Sequence, residues 1–155
     1  MIVAGIDPGS KESGVVVWAA QDTKLVYGAV LENDFLLTAM RQGQKQFPLF
    51  DCVEVVAIEQ IRGYGVKAGN DTFDTCEWAG RFREAFECRR GRVIMQPRKV
   101  AMEKLCGVTN TTDKFIRMAL IDRYGEPGTK KAPGPLFGIS GHLWSALAVA
   151  VTVTI

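Results

Sequence analysis

Two short apolar segments that each end in a carboxylate constrain the fold of this chain most strongly. Residues 2–6 run directly into Asp7, and residues 52–59 end at Glu59. Short runs rich in β-branched residues are typical of buried strands. If the two strands are neighbours, both carboxylates emerge at the same sheet edge, where like charges repel unless a cation lies between them. Hard oxygen ligands of this kind favour Mg²⁺, although strand-end acids also cap turns, and that alternative remains open.

The rest of the pattern combines strands with helices. Residues 2–6, 15–18 and 25–30 predict three consecutive antiparallel strands joined by short turns. Further elements follow: a strand over 52–59, a helix over 72–90, a strand over 93–95, helices over 97–106 and 112–124, and a last helix starting near 140–142. Residues 33–50 are ambiguous. This order predicts an α/β fold, with a mixed five-stranded sheet flanked by helices, in a single domain over 1–155.

The predicted helix over 72–90 has one apolar face. Side chains that recur there at helical spacing are Phe73, Cys76, Ala79, Phe82 and Phe86. We therefore expect this face to pack against the sheet.

Composition predicts a protein of the cytoplasm. No apolar run reaches about 18 residues, so we expect no membrane-spanning segment. The N-terminus lacks a basic region, and Asp7 interrupts what would be the apolar core of a signal peptide. The four cysteines have spacings that match no zinc pattern, and we expect free thiols packed as small apolar groups: Cys52, Cys76, Cys88 and Cys106.

Charge is distributed unevenly along the chain. Residues 1–60 contain 4 Lys and Arg against 8 Asp and Glu, a net charge of −4, whereas residues 61–155 contain 15 against 9, a net charge of +6. The basic part indicates a polyanionic partner. Solvated helix faces explain the same excess, so charge alone leaves both interpretations open.

His142 and Asp113 are the other candidates for chemistry. His142 is the only histidine, and it precedes a helix so apolar that it must pack on the sheet. That helix can bring the imidazole to the same edge as Asp7 and Glu59. Asp113 opens another predicted helix. The alternative for this carboxylate is that it only complements the positive end of the helix dipole.

Several segments together resemble the RuvC-like Holliday junction resolvases, in particular small phage-type members. They occur in the family's order along nearly the whole chain: GIDPGSKESG, VVAIEQ, VIMQPRKVAMEKLCG, TTDKFIRMALIDRYG and GHLWSALAVAV. The opening motif also occurs in other proteins with the ribonuclease H fold, whereas the ordered set is specific. The resemblance implies an RNase H-like fold and a location in the cytoplasm of a bacterium or a phage-infected host.

The resemblance also implies an acidic cluster that binds two Mg²⁺ ions, which Mn²⁺ can replace. Asp7, Glu59 and His142 match ligand positions of the family. Ser145 stands where the family usually has a carboxylate. Either Asp113 or a water therefore completes the metal site, or the second ion binds more weakly. Lys114 follows Asp113 in a pair similar to a family segment whose lysine lies near the scissile phosphate. The predicted catalytic residues are Asp7, Glu59, His142, Asp113 and Lys114.

Branched DNA is the substrate that the resemblance implies, cut by metal-assisted hydrolysis to a 3′ hydroxyl and a 5′ phosphate in recombination or repair. The predicted DNA contacts lie in two loops and are Arg62, Tyr64, Lys67, Lys130 and Lys131. Two symmetric cuts require two active sites, which implies a homodimer. The helix carrying Trp78 and Phe82 is a candidate interface, unless both residues belong to the core.

Two other functions remain open on the sequence. Loss of the carboxylate at Ser145 is compatible with a non-catalytic module that binds DNA junctions. A nuclease with the RNase H fold that acts on RNA or on simple flaps is the third hypothesis. Retention of Asp7, Glu59 and His142 favours activity, because a buried cluster of this kind is costly to keep.

Overall fold

The computed structural model describes residues 1–42, 48–63, 65, 67–89 and 91–155. Its elements, in chain order, are β1 (Ile2–Asp7), β2 (Glu12–Ala19), β3 (Lys24–Glu32), α1 (Asn33–Gln42), a 3₁₀ turn (Pro48–Phe50), β4 (Val55–Gln60), α2 (Asn70–Glu87), β5 (Arg92–Pro97), α3 (Arg98–Cys106), α4 (Asp113–Tyr124) and α5 (Leu143–Thr152).

Within these residues, five strands form one mixed sheet in the order β3-β2-β1-β4-β5. The first three strands pair antiparallel, and β1, β4 and β5 run parallel to one another. Because β1 and β4 are neighbours and parallel, their carboxyl ends meet at the same edge. The predicted mixed five-stranded sheet flanked by helices is therefore confirmed.

Helices cover both faces of the sheet. One face packs against α1 and α2, and the other against α3, α4 and α5. Nine of the ten residues of α5 are buried, because this helix lies directly on β1, β2 and β4 while α3 and α4 cover its outer side. None of the described helices is long and apolar enough to cross a membrane.

The first turn of α2 differs from the expected apolar face. Ala79, Phe82 and Phe86 are buried as predicted, but Phe73 is 64% exposed and Cys76 is also exposed. Burial along α2 begins only at Thr75 and continues at Ala79, Phe82, Ala85 and Phe86. The buried face is rotated away from the one that we predicted.

The side chains of Trp78 and Phe82 have different surroundings. Phe82 is fully buried and belongs to the core, which is one of the two alternatives left open for it, and a subunit interface on this helix stays a prediction. Trp78 is half-buried, with its ring 5.7 Å from that of Phe82 and the Arg81 guanidinium 4.0 Å from its ring centre.

The cysteines are all free thiols, but most of them are not packed inside. Cys52, Cys76 and Cys88 are exposed, and Cys106 is half-buried. Cys76 and Cys88 lie on α2 or at its end, on the side away from the sheet, and Cys52 lies in the turn before β4. The expectation of buried thiols is therefore wrong, because sequence spacing alone does not show which face of an element is covered.

Candidate active site

Asp7 and Glu59 are the last carboxylates of two adjacent parallel strands. Ile6 of β1 pairs with Ile58 of β4, so the next residues along both strands are Asp7 and Glu59. Their side chains lie on the face covered by α5, because alternate residues of a strand face opposite sides. The Asp7 side chain is 15% exposed and that of Glu59 is 12% exposed. The structure thus brings the two predicted acids together at one buried edge.

The start of α5 brings His142 to the same edge. Its Nδ1 lies 3.1 Å from Oδ2 of Asp7. Because an ionised carboxylate can only accept, the tautomer with a proton on Nδ1 donates this hydrogen bond. Two glycines let α5 approach so closely, since a Cβ at Gly14 would lie 3.2 Å from the His142 carbonyl oxygen and Gly5 faces Ala146. With Nδ1 engaged by a carboxylate, Nε2 of this exposed ring is the nitrogen left for a ligand.

Both carboxyl groups are harder to ionise than usual. Burial raises the pKa of Asp7, although the hydrogen bond from His142 and the charge of Arg98 act in the opposite direction. Burial also raises the pKa of Glu59, and the neighbouring negative charge of Asp7 raises it further. Two desolvated like charges therefore lie side by side with too little positive charge around them.

Arg98 provides part of that positive charge, a role not expected from the sequence. One guanidinium nitrogen lies 3.4 Å from Oε1 of Glu59, and another pairs with Asp113 at the start of α4. Arg98 directly follows β5, the parallel neighbour of β4, so it leaves the sheet at the same edge as Glu59. That strand-end position is the signal that could have identified it. Asp113 thus reaches the site through Arg98.

The turn between β1 and β2 is held by a buried polar pair. The Ser13 hydroxyl donates to Oδ1 of Asn33 at 2.6 Å and accepts from the backbone N–H of Gly9 at 3.3 Å. The Asn33 amide in turn donates to the Gly9 carbonyl at 2.9 Å, and its backbone N–H donates to the carbonyl of Lys11. These bonds fix the chain immediately after Asp7, which limits the movement of its carboxylate.

Two cavities open on either side of His142. One of about 580 Å³ lies between α4 and α5 and is lined by Asp113, Lys114, Arg117 and Ser145, among others. The Arg117 guanidinium stacks 5.1 Å from the ring centre of Trp144. The other cavity, of about 460 Å³, lies beside the turn that follows Asp7. Cations at the wall of the first cavity favour a phosphate-containing ligand.

The predicted DNA contacts are distributed over two regions. Arg62 and Lys67 are exposed in the loop after Glu59, where the Arg62 side chain donates to Gln60 at 3.0 Å. Tyr64 lies outside the described residues. Lys130 and Lys131 are exposed at the tip of a short loop bridged between Gly128 and Pro133.

The loop that carries Lys130 and Lys131 runs far from Asp7. Its segment 133–137 lines a cavity with the turn between β2 and β3, at the opposite end of the sheet from Asp7. The structure therefore groups these two lysines with that end of the molecule and not with His142. Their contact with DNA stays a prediction.

The acidic edge matches a divalent cation in charge and in donor chemistry. Asp7 and Glu59 offer buried oxygens, and His142 offers a ring nitrogen. In the part of the chain that the structure describes, no three His, Cys, Asp or Glu side chains already surround a point at which one ion could bind. Glu59 and Asp113 instead both pair with the guanidinium of Arg98.

We predict that Glu59→Gln stabilises the protein when no divalent cation is bound. Folding raises the pKa of Glu59 above its ordinary value of 4.5, so its contribution to stability is present below that pH and is lost as the pH rises through the folded-state pKa. In EDTA at pH 7, the variant should therefore unfold at a higher temperature than the wild type, and the gap should close below about pH 4.5. Thermal unfolding followed by circular dichroism at several pH values measures this. A variant less stable at pH 7 would contradict the assigned burial.

Comparison with solved structures identifies relatives of the fold. RuvC of Thermus thermophilus superimposes with a TM-score of 0.71 and 23% sequence identity, over 98% of this chain and 92% of that chain. The same protein, solved in complex with Holliday junction substrate, gives 0.70 and 24% over the same shares. The yeast mitochondrial Holliday junction resolvase Ydc2 gives 0.55 and 12%, over 97% and 77%. No protein-family model and no curated protein sequence matches the chain.

The agreement with RuvC of Thermus thermophilus extends over almost the whole of both chains. The chain therefore has the RNase H-like fold of the RuvC-type resolvases.

Proposed function

We propose that this chain is a metal-dependent DNA endonuclease that cuts four-way or other branched junctions. One observation carries the proposal: Asp7 and Glu59 end adjacent strands, and α5 brings His142 to within 3.1 Å of Asp7. Three residues that are far apart in the sequence thus meet at one sheet edge, beside a cavity with basic walls.

Each residue of this site has a role that follows from its position. Asp7 and Glu59 are the carboxylates that would hold divalent cations, with His142 Nε2 as a further ligand. Bound ions would activate a water for attack on phosphorus and stabilise the leaving 3′ oxygen. Lys114 and Arg117, which line the cavity between α4 and α5, would neutralise a DNA phosphate there. The Ser13–Asn33 pair keeps the chain after Asp7 in place.

Branched DNA as the substrate rests on the likeness to structures of resolvases, one of which was solved with Holliday junction substrate. The basic excess of residues 61–155 is compatible with a nucleic acid. Paired cuts at a junction need two active sites, so we propose that two copies of the chain act together.

Incubation with labelled DNA tests the proposal. The substrates are a four-way junction, a linear duplex, a flap and an RNA–DNA hybrid, each with Mg²⁺, with Mn²⁺ and with EDTA. We expect cleavage of the junction in either metal, little cleavage of the duplex and none in EDTA. Ligation of the products distinguishes 5′ phosphate ends from other ends.

The other outcomes select between the alternatives. Tight binding of the junction without cleavage in either metal would favour a non-catalytic module. Equal cleavage of junction, flap, hybrid and duplex would favour a less selective nuclease with this fold. Neither binding nor cleavage of any substrate would contradict all three functions.

Replacement of Ser145 by aspartate should strengthen cation binding. Ser145 is half-buried and lines the same cavity as His142 and Asp113. A carboxylate there adds a charged oxygen ligand, for which we expect about 10-fold tighter Mn²⁺ binding. Electron paramagnetic resonance of free Mn²⁺ measures the affinity, and Thr129→Asp, at an exposed position of the loop that carries Lys130 and Lys131, is a control for added charge. Equal affinity in Ser145→Asp and the wild type would place the ion elsewhere.

A further inference from the structure

Gln96 is a buried polar residue whose amide is left without a partner. It is 6% exposed and is the next to last residue of β5. Among the residues that the structure describes, none forms a hydrogen bond with its Nε2. A buried N–H donor without an acceptor destabilises a folded protein. Such groups are rare, so this one calls for an explanation, for example an acceptor that reaches it only in another state of the site.

The position of Gln96 indicates which group it serves. Gln96 pairs with Glu59 in the register between β4 and β5, so both side chains project from the same face of neighbouring strands. Neighbouring parallel strands lie about 4.8 Å apart, which is within reach of two long side chains. The row continues to Asp7 on β1. The orphaned amide is therefore adjacent to the acidic edge.

We propose that Gln96 is a positioning residue for Glu59, to whose carboxylate it donates a hydrogen bond when Glu59 turns from Arg98 to a divalent cation. The inference rests on the cation site of the proposed function. Glu59 has two oxygens, and the contact with Arg98 involves only Oε1. A neutral amide orients the carboxylate without cancelling its charge, whereas the Arg98 guanidinium competes with a cation for that charge. Carboxylates that bind metals are commonly held by such hydrogen bonds.

The substitution Gln96→Met separates this role from a structural one. Methionine has a similar length but no hydrogen-bond donor. In the metal-free variant, the buried amide that lacks a partner is therefore gone. In EDTA, we expect the unfolding temperature to rise by about 2–6 °C. Affinity for Mn²⁺, measured by electron paramagnetic resonance, should fall about 10-fold. Opposite changes in stability and in affinity are the signature of a group that is kept for binding and not for folding.

Thr152→Val is the matched control. Thr152 is fully buried at the far end of α5 and donates to the carbonyl of Ala148 at 2.9 Å. Because this hydroxyl has its partner, the control should lower the unfolding temperature and leave Mn²⁺ affinity unchanged.

Three results would count against the inference. A lower unfolding temperature for Gln96→Met in EDTA would mean that the amide stabilises the fold. Equal Mn²⁺ affinity in Gln96→Met and the wild type would refute the role of Gln96 and leave the proposed function unaffected. A wild type that binds no Mn²⁺ would overturn the proposed function and this inference together.

Discussion

Replacement of Asp7 by asparagine should reduce junction cleavage by about 10³-fold or more, equivalent to about 4 kcal/mol of transition-state stabilisation. Asp7 is at the centre of the site, because it contacts His142 and adjoins Glu59 on the neighbouring strand. Asparagine keeps the size and the acceptor oxygen for His142 but removes the charge that would hold a cation. Since burial already opposes ionisation of Asp7, the variant should remain folded.

The measurement compares single-turnover cleavage rates with junction binding in Ca²⁺ or EDTA. Binding should stay within a few-fold of the wild type, because the phosphate contacts remain. Asp22→Asn, in the exposed turn between β2 and β3, is the control for loss of one negative charge and should cleave normally. Cleavage by Asp7→Asn at more than a tenth of the wild-type rate would remove Asp7 from the active site.

Substitution of Gly5 by alanine should destabilise the protein by about 3 kcal/mol or more. A Cβ at this position of β1 would overlap the backbone carbonyl of Ala146 and approach the Ala150 Cβ to 2.8 Å. A backbone atom cannot rotate away as a side chain can, so α5 must move off the sheet. Because α5 carries His142 at its start, this movement also separates the imidazole from Asp7.

Thermal unfolding should reveal this change as a fall of roughly 6–12 °C in the unfolding temperature. Gly80→Ala is the matched control, because a Cβ at that exposed position of α2 meets no atom within 4 Å. There the same change should stabilise the protein by about 0.4–1 kcal/mol, since alanine restricts the unfolded chain. Equal stability of Gly5→Ala and the wild type would mean that α5 does not lie against β1 as described.

Local patterns were sufficient to predict most of the fold. Apolar runs that end in Asp7 and Glu59 identified β1 and β4, and Gly107 and Gly125 ended α3 and α4 as expected. The meeting of Asp7, Glu59 and His142 also followed, because parallel strands align their ends and an apolar helix must lie on a sheet.

Features that depend on tertiary packing could not be predicted in the same way. Phe73 has the spacing of a core residue, yet it is exposed, because the buried residues of α2 begin only at Thr75. The roles of Arg98 and Gln96 depend on β5 being the neighbour of β4, which the chain order alone does not establish. The outward position of Cys76 and Cys88 similarly reflects which side of α2 is covered.

Anomalous diffraction from crystals soaked in Mn²⁺ tests the central claim most directly, because it locates the ion itself. We predict a peak at the edge shared by β1 and β4, about 2.0–2.3 Å from carboxylate oxygens of Asp7 and Glu59, with His142 alongside. Crystals of Asp7→Asn should lose the peak or show it much weakened. A wild-type crystal with Mn²⁺ bound elsewhere, and none between these two carboxylates, would contradict the account.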